Sequence, residues 1–147
     1  MTDTLMTSEP VLLVEDDLLD VKSVRRAFKL NGVANPLHVA SNGEEALEYL
    51  RSRVNESSEG EPSFPRLILL DINMPVMNGL EFLVAYKSDE AFRHIPAVVL
   101  TTSTEEHDRL ESYRNGIAGY IVKPVDFDAF REAIRRFDRY WAICEMP

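Results

Sequence analysis

Glu15 and Asp16 follow directly on the apolar run Val11–Val14, and Asp71 follows directly on Leu67–Leu70. Thr101 ends another such run, Ala97–Leu100, and Lys123 ends Tyr120–Val122, with Pro124 behind it. Carboxylates, a hydroxyl and an ammonium at the ends of apolar stretches suit phosphoryl transfer. A carboxylate can attack as nucleophile. A metal ion and a lysine can neutralise charge on the equatorial oxygens, while a hydroxyl donates to a phosphoryl oxygen. The carboxylates also need a cation for themselves: two charges ~5 Å apart repel by roughly 3 kcal/mol at an effective dielectric of about 20. All-oxygen ligation with a few retained waters suits Mg²⁺. The expected ligands are the Asp16 and Asp71 carboxylates, the Asn73 backbone carbonyl and, through water, Glu15.

These groups meet only if the chain places the run ends together. The apolar runs are Val11–Val14, Leu37–Ala40, Leu67–Leu70, Ala97–Leu100 and Tyr120–Val122. Most lack apolar/polar alternation, as strands buried on both faces of a parallel sheet do. The second carries His38 and is expected at an edge. Segments of helical period separate them. Val21, Val24 and Phe28 mark the first, and Asn42 to Glu45 reads as a capping box before Ala46, Leu47 and Leu50. Leu80, Phe82, Leu83 and Tyr86 mark a third helix after Asn78-Gly79. Ser103 to Glu106 is a second capping box, opening a fourth helix that ends near Asn115-Gly116. Asp126 caps a fifth, with Phe127, Phe130, Ile134, Phe137 and Trp141. Val54 to Pro65 reads as a polar loop. Five βα units predict an α/β fold, a doubly wound five-stranded parallel sheet with helices on both faces, for which the order 2-1-3-4-5 is expected. In that order strands one and three are neighbours where the strand order reverses, and open α/β sheets place their sites there.

The bulk properties narrow the function. The 147 residues fit one domain. The net charge of −9 argues against DNA as a partner, because nucleic acid needs a basic footprint. The single cysteine, Cys144, forms no internal disulfide, which fits a reducing, cytoplasmic setting. No apolar run approaches the ~18 residues of a membrane span, so no membrane association is expected. Residues 1–9 are expected as a disordered tail and 10–147 as one domain with an extended last helix and no output domain.

The stretches Leu13-Val14-Glu15-Asp16-Asp17, Leu69-Leu70-Asp71-Ile72-Asn73-Met74-Pro75 with Asn78-Gly79, Val99-Leu100-Thr101-Thr102 and Gly119-Tyr120-Ile121-Val122-Lys123-Pro124 occur in this order. Together they resemble the receiver domain of two-component response regulators, with its flavodoxin-like (βα)5 fold. The resemblance covers Pro10 to about Tyr140. It implies a phosphoacceptor at Asp71, a metal-binding acidic pair at Glu15 and Asp16, a switch hydroxyl at Thr101, a switch aromatic at Tyr120 and the family lysine at Lys123. It also implies that Asn73 and Ser103 tune hydrolysis of the acyl phosphate, that Asp17 faces solvent or caps the first helix, and that the Lys123-Pro124 peptide is cis. The implied protein is a signalling phosphoacceptor in a phosphorelay rather than a conventional enzyme. It takes its phosphoryl group from a sensor histidine kinase. The long segment before the third strand and the aromatic C-terminus look similar to the small regulators paired with phytochrome histidine kinases.

Other features allow narrower expectations. Tyr120 is either an ordinary strand aromatic or a side chain that swings inward when Thr101 moves. Arg131, Arg135, Arg136 and Arg139 on the fifth helix oppose Glu105, Glu106, Asp108 and Glu111 on the fourth in charge. A homodimer through the fourth helix, fifth strand and fifth helix would pair them. A haloacid-dehalogenase-type phosphatase would need an Asp as general acid where Asn73 stands. A flavodoxin-like electron carrier would place its FMN phosphate against Glu15, Asp16 and Asp17, which repel it. A degenerate receiver is disfavoured because every functional position is filled.

Overall fold

A computed structural model describes residues 9–55, 64–72, 74, 76–102 and 116–132. Five strands, β1 (Val11–Val14), β2 (Leu37–Ala40), β3 (Leu67–Asp71), β4 (Ala97–Thr101) and β5 (Gly119–Val122), form one parallel sheet in the order β2-β1-β3-β4-β5. This is the expected doubly wound topology. β2 lies at an edge with His38 exposed, as its polar interruption suggested. β3 and β4 each run one residue further than their apolar runs, so Asp71 and Thr101 are the last residues of their strands rather than the first beyond them.

Helix α1 (Leu18–Leu30) begins where the Asp17 carboxylate accepts the Leu19 N–H at 2.8 Å, which settles Asp17 as its N-cap. Val21, Val24, Ala27 and Phe28 form its buried stripe. The helix stops at Asn31, whose side-chain amide donates to the Ala27 carbonyl (2.8 Å), and Gly32 turns the chain away at a φ of 72°. Helix α2 (Gly43–Asn55) takes in Val54 and Asn55, which the sequence assigned to the loop. Its start differs from a closed capping box. Asn42 accepts the Glu45 N–H at 2.9 Å, but the Glu45 carboxylate receives the N–H of Ser41, not of Asn42. The reciprocal box is instead found at α3 (Gly79–Lys87), between Asn78 and Glu81. A helical segment at 127–132 follows Asp126, which accepts the Ala129 N–H at 2.9 Å as the predicted cap.

Alternate side chains of the central strands feed two cores. Val11, Leu13, Leu67 and Leu69 pack with α1 and with Phe130, whose ring stacks on Phe28 at 4.7 Å. Leu12, Val14, Ile68 and Leu70 pack with Leu47 and Leu50 of α2 and Phe82 and Tyr86 of α3. Burial on both faces is why these strands are continuously apolar. The expected fourth helix, most of the fifth and residues 1–8 of the expected 1–9 tail lie outside the described residues, while Glu9 pairs with Arg66 at 3.0 Å.

Candidate functional site

Strand register aligns the catalytic candidates. Val14 pairs with Leu70, so Glu15 follows β1 at the level where Asp71 ends β3. Asp71 pairs with Leu100, and Thr101 with Val122. The Lys123 N–H donates to the Thr101 carbonyl at 2.7 Å, which starts the β5 exit beside β4. The Lys123-Pro124 peptide is cis. Gly79 lets α3 begin directly over the Asp71 backbone. A Cβ there would overlap the Asp71 carbonyl oxygen and come within 2.8 Å of Ile72 Cα. The Gly79 N–H in turn donates to the Ile72 carbonyl at 2.9 Å.

The side chains converge. Glu15 and Asp71 are buried, Asp16 is exposed at the mouth, and each has a carboxylate oxygen within 4.8 Å of the others. Lys123 Nζ lies 3.0 Å from Glu15 Oε1, 3.0 Å from Asp71 Oδ1 and 2.8 Å from Asp20 Oδ2. The other Glu15 oxygen accepts the Asp17 N–H at 3.2 Å. Thr101 is fully buried, and its Oγ1 has no hydrogen-bond partner among the described residues. Such an orphan is costly unless something completes it. Tyr120 is half-buried beside Ile72 and Val99. Asn73, Pro75 and Ser103 lie outside the described residues.

Burial raises the Glu15 carboxyl from its ordinary 4.5 to about 7, helped by the Asp71 charge and opposed by Lys123. Asp71 is raised too, first by burial and then by the Asp16 and Asp20 charges, against the pull of Lys123. Burial alone would lower the Lys123 ammonium. Its contacts with Asp20, Asp71 and Glu15 more than offset this and raise it, so it stays charged. One ammonium touches three carboxyl groups, with Asp16 beside them, so acidic groups outnumber the cation in this pocket. Three oxygen donors there fit a hard divalent cation, which would remove the mutual repulsion.

Of the predicted site residues that are described, Glu15, Asp16, Asp71 and Lys123 come together in this cleft, Thr101 ends the neighbouring strand, and Tyr120 packs on Ile72 and Val99. The sequence missed Asp20, one helical turn after Asp16, because a lone acid in a first helical turn reads as a helix-dipole residue. The one available signal was the i, i+4 spacing from Asp16, which puts both acids at the same end of α1.

The model of the response regulator receiver domain matches residues 11–135. The chain is 36% identical over 141 residues to the probable methanogenesis regulatory protein FilR2 of Methanothrix harundinacea, covering 95% of this chain and 88% of that one. A solved structure, the bacteriophytochrome response regulator RtBRR, is 40% identical with a TM-score of 0.77, covering 87% of this chain and 76% of that one. The Mn²⁺-bound form of response regulator Rcp1 is 29% identical with a TM-score of 0.68, covering 90% and 94%. The chain belongs to the response regulator receiver domain family, whose members signal by accepting a phosphoryl group on an aspartate.

Proposed function

We propose that Asp71 is the phosphoacceptor and that Glu15, Asp16, Asp71 and the Asn73 carbonyl hold Mg²⁺. The observation that carries this reading is the pairing of a buried carboxylate, Asp71, with a lysine 3.0 Å away at the end of a parallel sheet. In the transfer, an Asp71 carboxylate oxygen bonds to phosphorus as the bond from phosphorus to the kinase histidine nitrogen breaks. The electron pair leaves with the imidazole. Bound Mg²⁺ would supply charge neutralisation at the phosphoryl oxygens. Lys123 holds a further oxygen, and the unpartnered Thr101 hydroxyl donates to a phosphoryl oxygen once it moves inward. Tyr120 then follows Thr101 toward the space it leaves.

The partner is a sensor histidine kinase. A phytochrome is the specific candidate, because RtBRR is named for a bacteriophytochrome. The Mn²⁺-bound form of Rcp1 supports a divalent cation at the acidic cluster. The net charge of −9 accords with a protein that does not bind DNA, and the single cysteine with a reducing, cytoplasmic setting. Among the described residues no helix is long and apolar enough to cross a membrane. The homodimer through the fourth helix, β5 and the fifth helix remains our proposal; its charged helices lie largely outside the described residues.

Intact-protein mass after incubation with acetyl phosphate and Mg²⁺ tests the chemistry. Wild type gains one phosphoryl group; Asp71→Asn, or wild type with EDTA, gains none. A phosphoryl group that persists in Asp71→Asn would refute the assignment.

A further inference from the structure

Asp20 has no part in the scheme above, yet it makes the shortest contact of the Lys123 ammonium. Its Oδ2 lies 2.8 Å from Lys123 Nζ, against 3.0 Å for both Glu15 and Asp71. An ammonium has three N–H groups, and three carboxylate oxygens already surround this one. Of the three, the Asp20 contact is a hydrogen bond and the other two are ion-pair contacts, so Asp20 is the partner with which a phosphoryl oxygen on Asp71 competes for the ammonium.

The three partners differ in what release would cost. Glu15 is almost fully buried, with 1% of its side chain exposed, so losing Lys123 would strand a charge away from water. Asp71 Oδ1 belongs to the group that receives the phosphorus. Asp20 is 26% exposed on the first turn of α1, and water can solvate it on release. Its charge also stands on the wrong side of the reaction, since a phosphoryl group adds roughly −1.5 to −2.

We propose that Asp20 is a positioning residue that holds Lys123 toward α1 in the unphosphorylated chain and competes with the phosphoryl group for the ammonium. The inference rests on Asp71 being the phosphoacceptor. Asp20 thus sets how tightly the site holds a phosphoryl anion, and ties release of the β5 exit from α1 to phosphorylation.

Beryllofluoride, a phosphoryl mimic, is the probe, titrated at saturating Mg²⁺ and followed by fluorine NMR. Asp20→Asn should bind it about fivefold more tightly than wild type, a modest coupling. In a Lys123→Met background the same substitution should have almost no effect. Asp20→Glu, which keeps the charge, should stay near wild type. A second readout needs neither metal nor anion. In EDTA the Lys123 ammonium resonance should be sharp in wild type and broadened by water exchange in Asp20→Asn.

Equal tightening in both backgrounds would reduce Asp20 to a general field of negative charge and overturn the latch. An unchanged affinity, or an unchanged ammonium resonance, in Asp20→Asn would overturn it too, leaving the Asp71 assignment intact if wild type binds normally. Failure of wild type to bind beryllofluoride at all would sink that assignment and the latch together.

Discussion

Lys123 Nζ stands 3.0 Å from Asp71 Oδ1, so the acceptor carboxylate and its cation are joined across one intervening strand end, that of β4, before any phosphoryl group arrives. The lysine is the sole cation on the buried carboxylates among the described contacts. Removing one partner of a buried pair leaves the other charge uncompensated, at a cost of about 3–5 kcal/mol. Lys123→Met is therefore expected to lose roughly 3 kcal/mol in urea unfolding at pH 7.5 in EDTA. Mg²⁺ should restore most of the loss, because a divalent cation replaces the missing charge. A deficit that Mg²⁺ leaves untouched would mean that the lysine acts through packing.

The raised carboxyls make a pH prediction with a definite sign. Glu15 titrates near 4.5 when unfolded and is pushed up to about 7 when folded. Between these values the native state binds more protons than the unfolded state, so stability falls as pH rises. The direction for Asp71 is the same. The metal-free protein should thus lose stability from about pH 4.5 to pH 7, by at most about 3–4 kcal/mol from Glu15, at 1.36 kcal/mol per pKa unit. Saturating Mg²⁺ should flatten the slope. Thermal melts across this range, with and without EDTA, decide it, and a metal-free melting point that climbs toward pH 7 would contradict the electrostatic account.

Much of this site was legible because its residues end strands whose apolar runs are visible. The alternation of strands and helices predicted a parallel sheet, while the order 2-1-3-4-5 came with the doubly wound fold the motifs resemble. The reading stopped one residue early at Asp71, because a polar side chain breaks an apolar run while the backbone ladder continues through it. Asp20 was illegible for a different reason. Its role depends on where the long Lys123 side chain turns, across 103 residues of sequence, and no local pattern records that. The Asn78/Glu81 box was readable in principle, but Asn78-Gly79 served only to mark where the third helix begins.

Val76 is both strained and exposed. Its φ is 70°, a region that a β-branched side chain rarely adopts, and 74% of its surface is open to solvent. Such backbone strain costs of order 1–3 kcal/mol. Because little packing would be lost, Val76→Gly is expected to stabilise the fold by about 1 kcal/mol despite glycine's greater unfolded-state freedom. Urea midpoints compare the two. A destabilised variant would show that the valine side chain makes a contact worth more than the strain.

Gly79 makes the opposite case, since its backbone is ordinary and the space above it is not. A Cβ would meet the Asp71 carbonyl oxygen and Ile72 Cα, both main-chain atoms that cannot swing aside. Gly79→Ala must therefore push the start of α3 away from the β3 end or displace Asp71 itself. Overpacking of this kind typically costs 1–3 kcal/mol, and the backbone contact places the expectation at the upper end, about 3 kcal/mol. Because Asp71 carries the phosphoryl chemistry, slower phosphorylation by acetyl phosphate should accompany the loss of stability. The damage should be greater than for Gly116→Ala, where a Cβ comes no nearer than 3.8 Å to the Lys87 side chain. Equal stability and equal phosphorylation rates in the two variants would mean that α3 shifts freely, and that its seat on the Asp71 backbone does not hold the site.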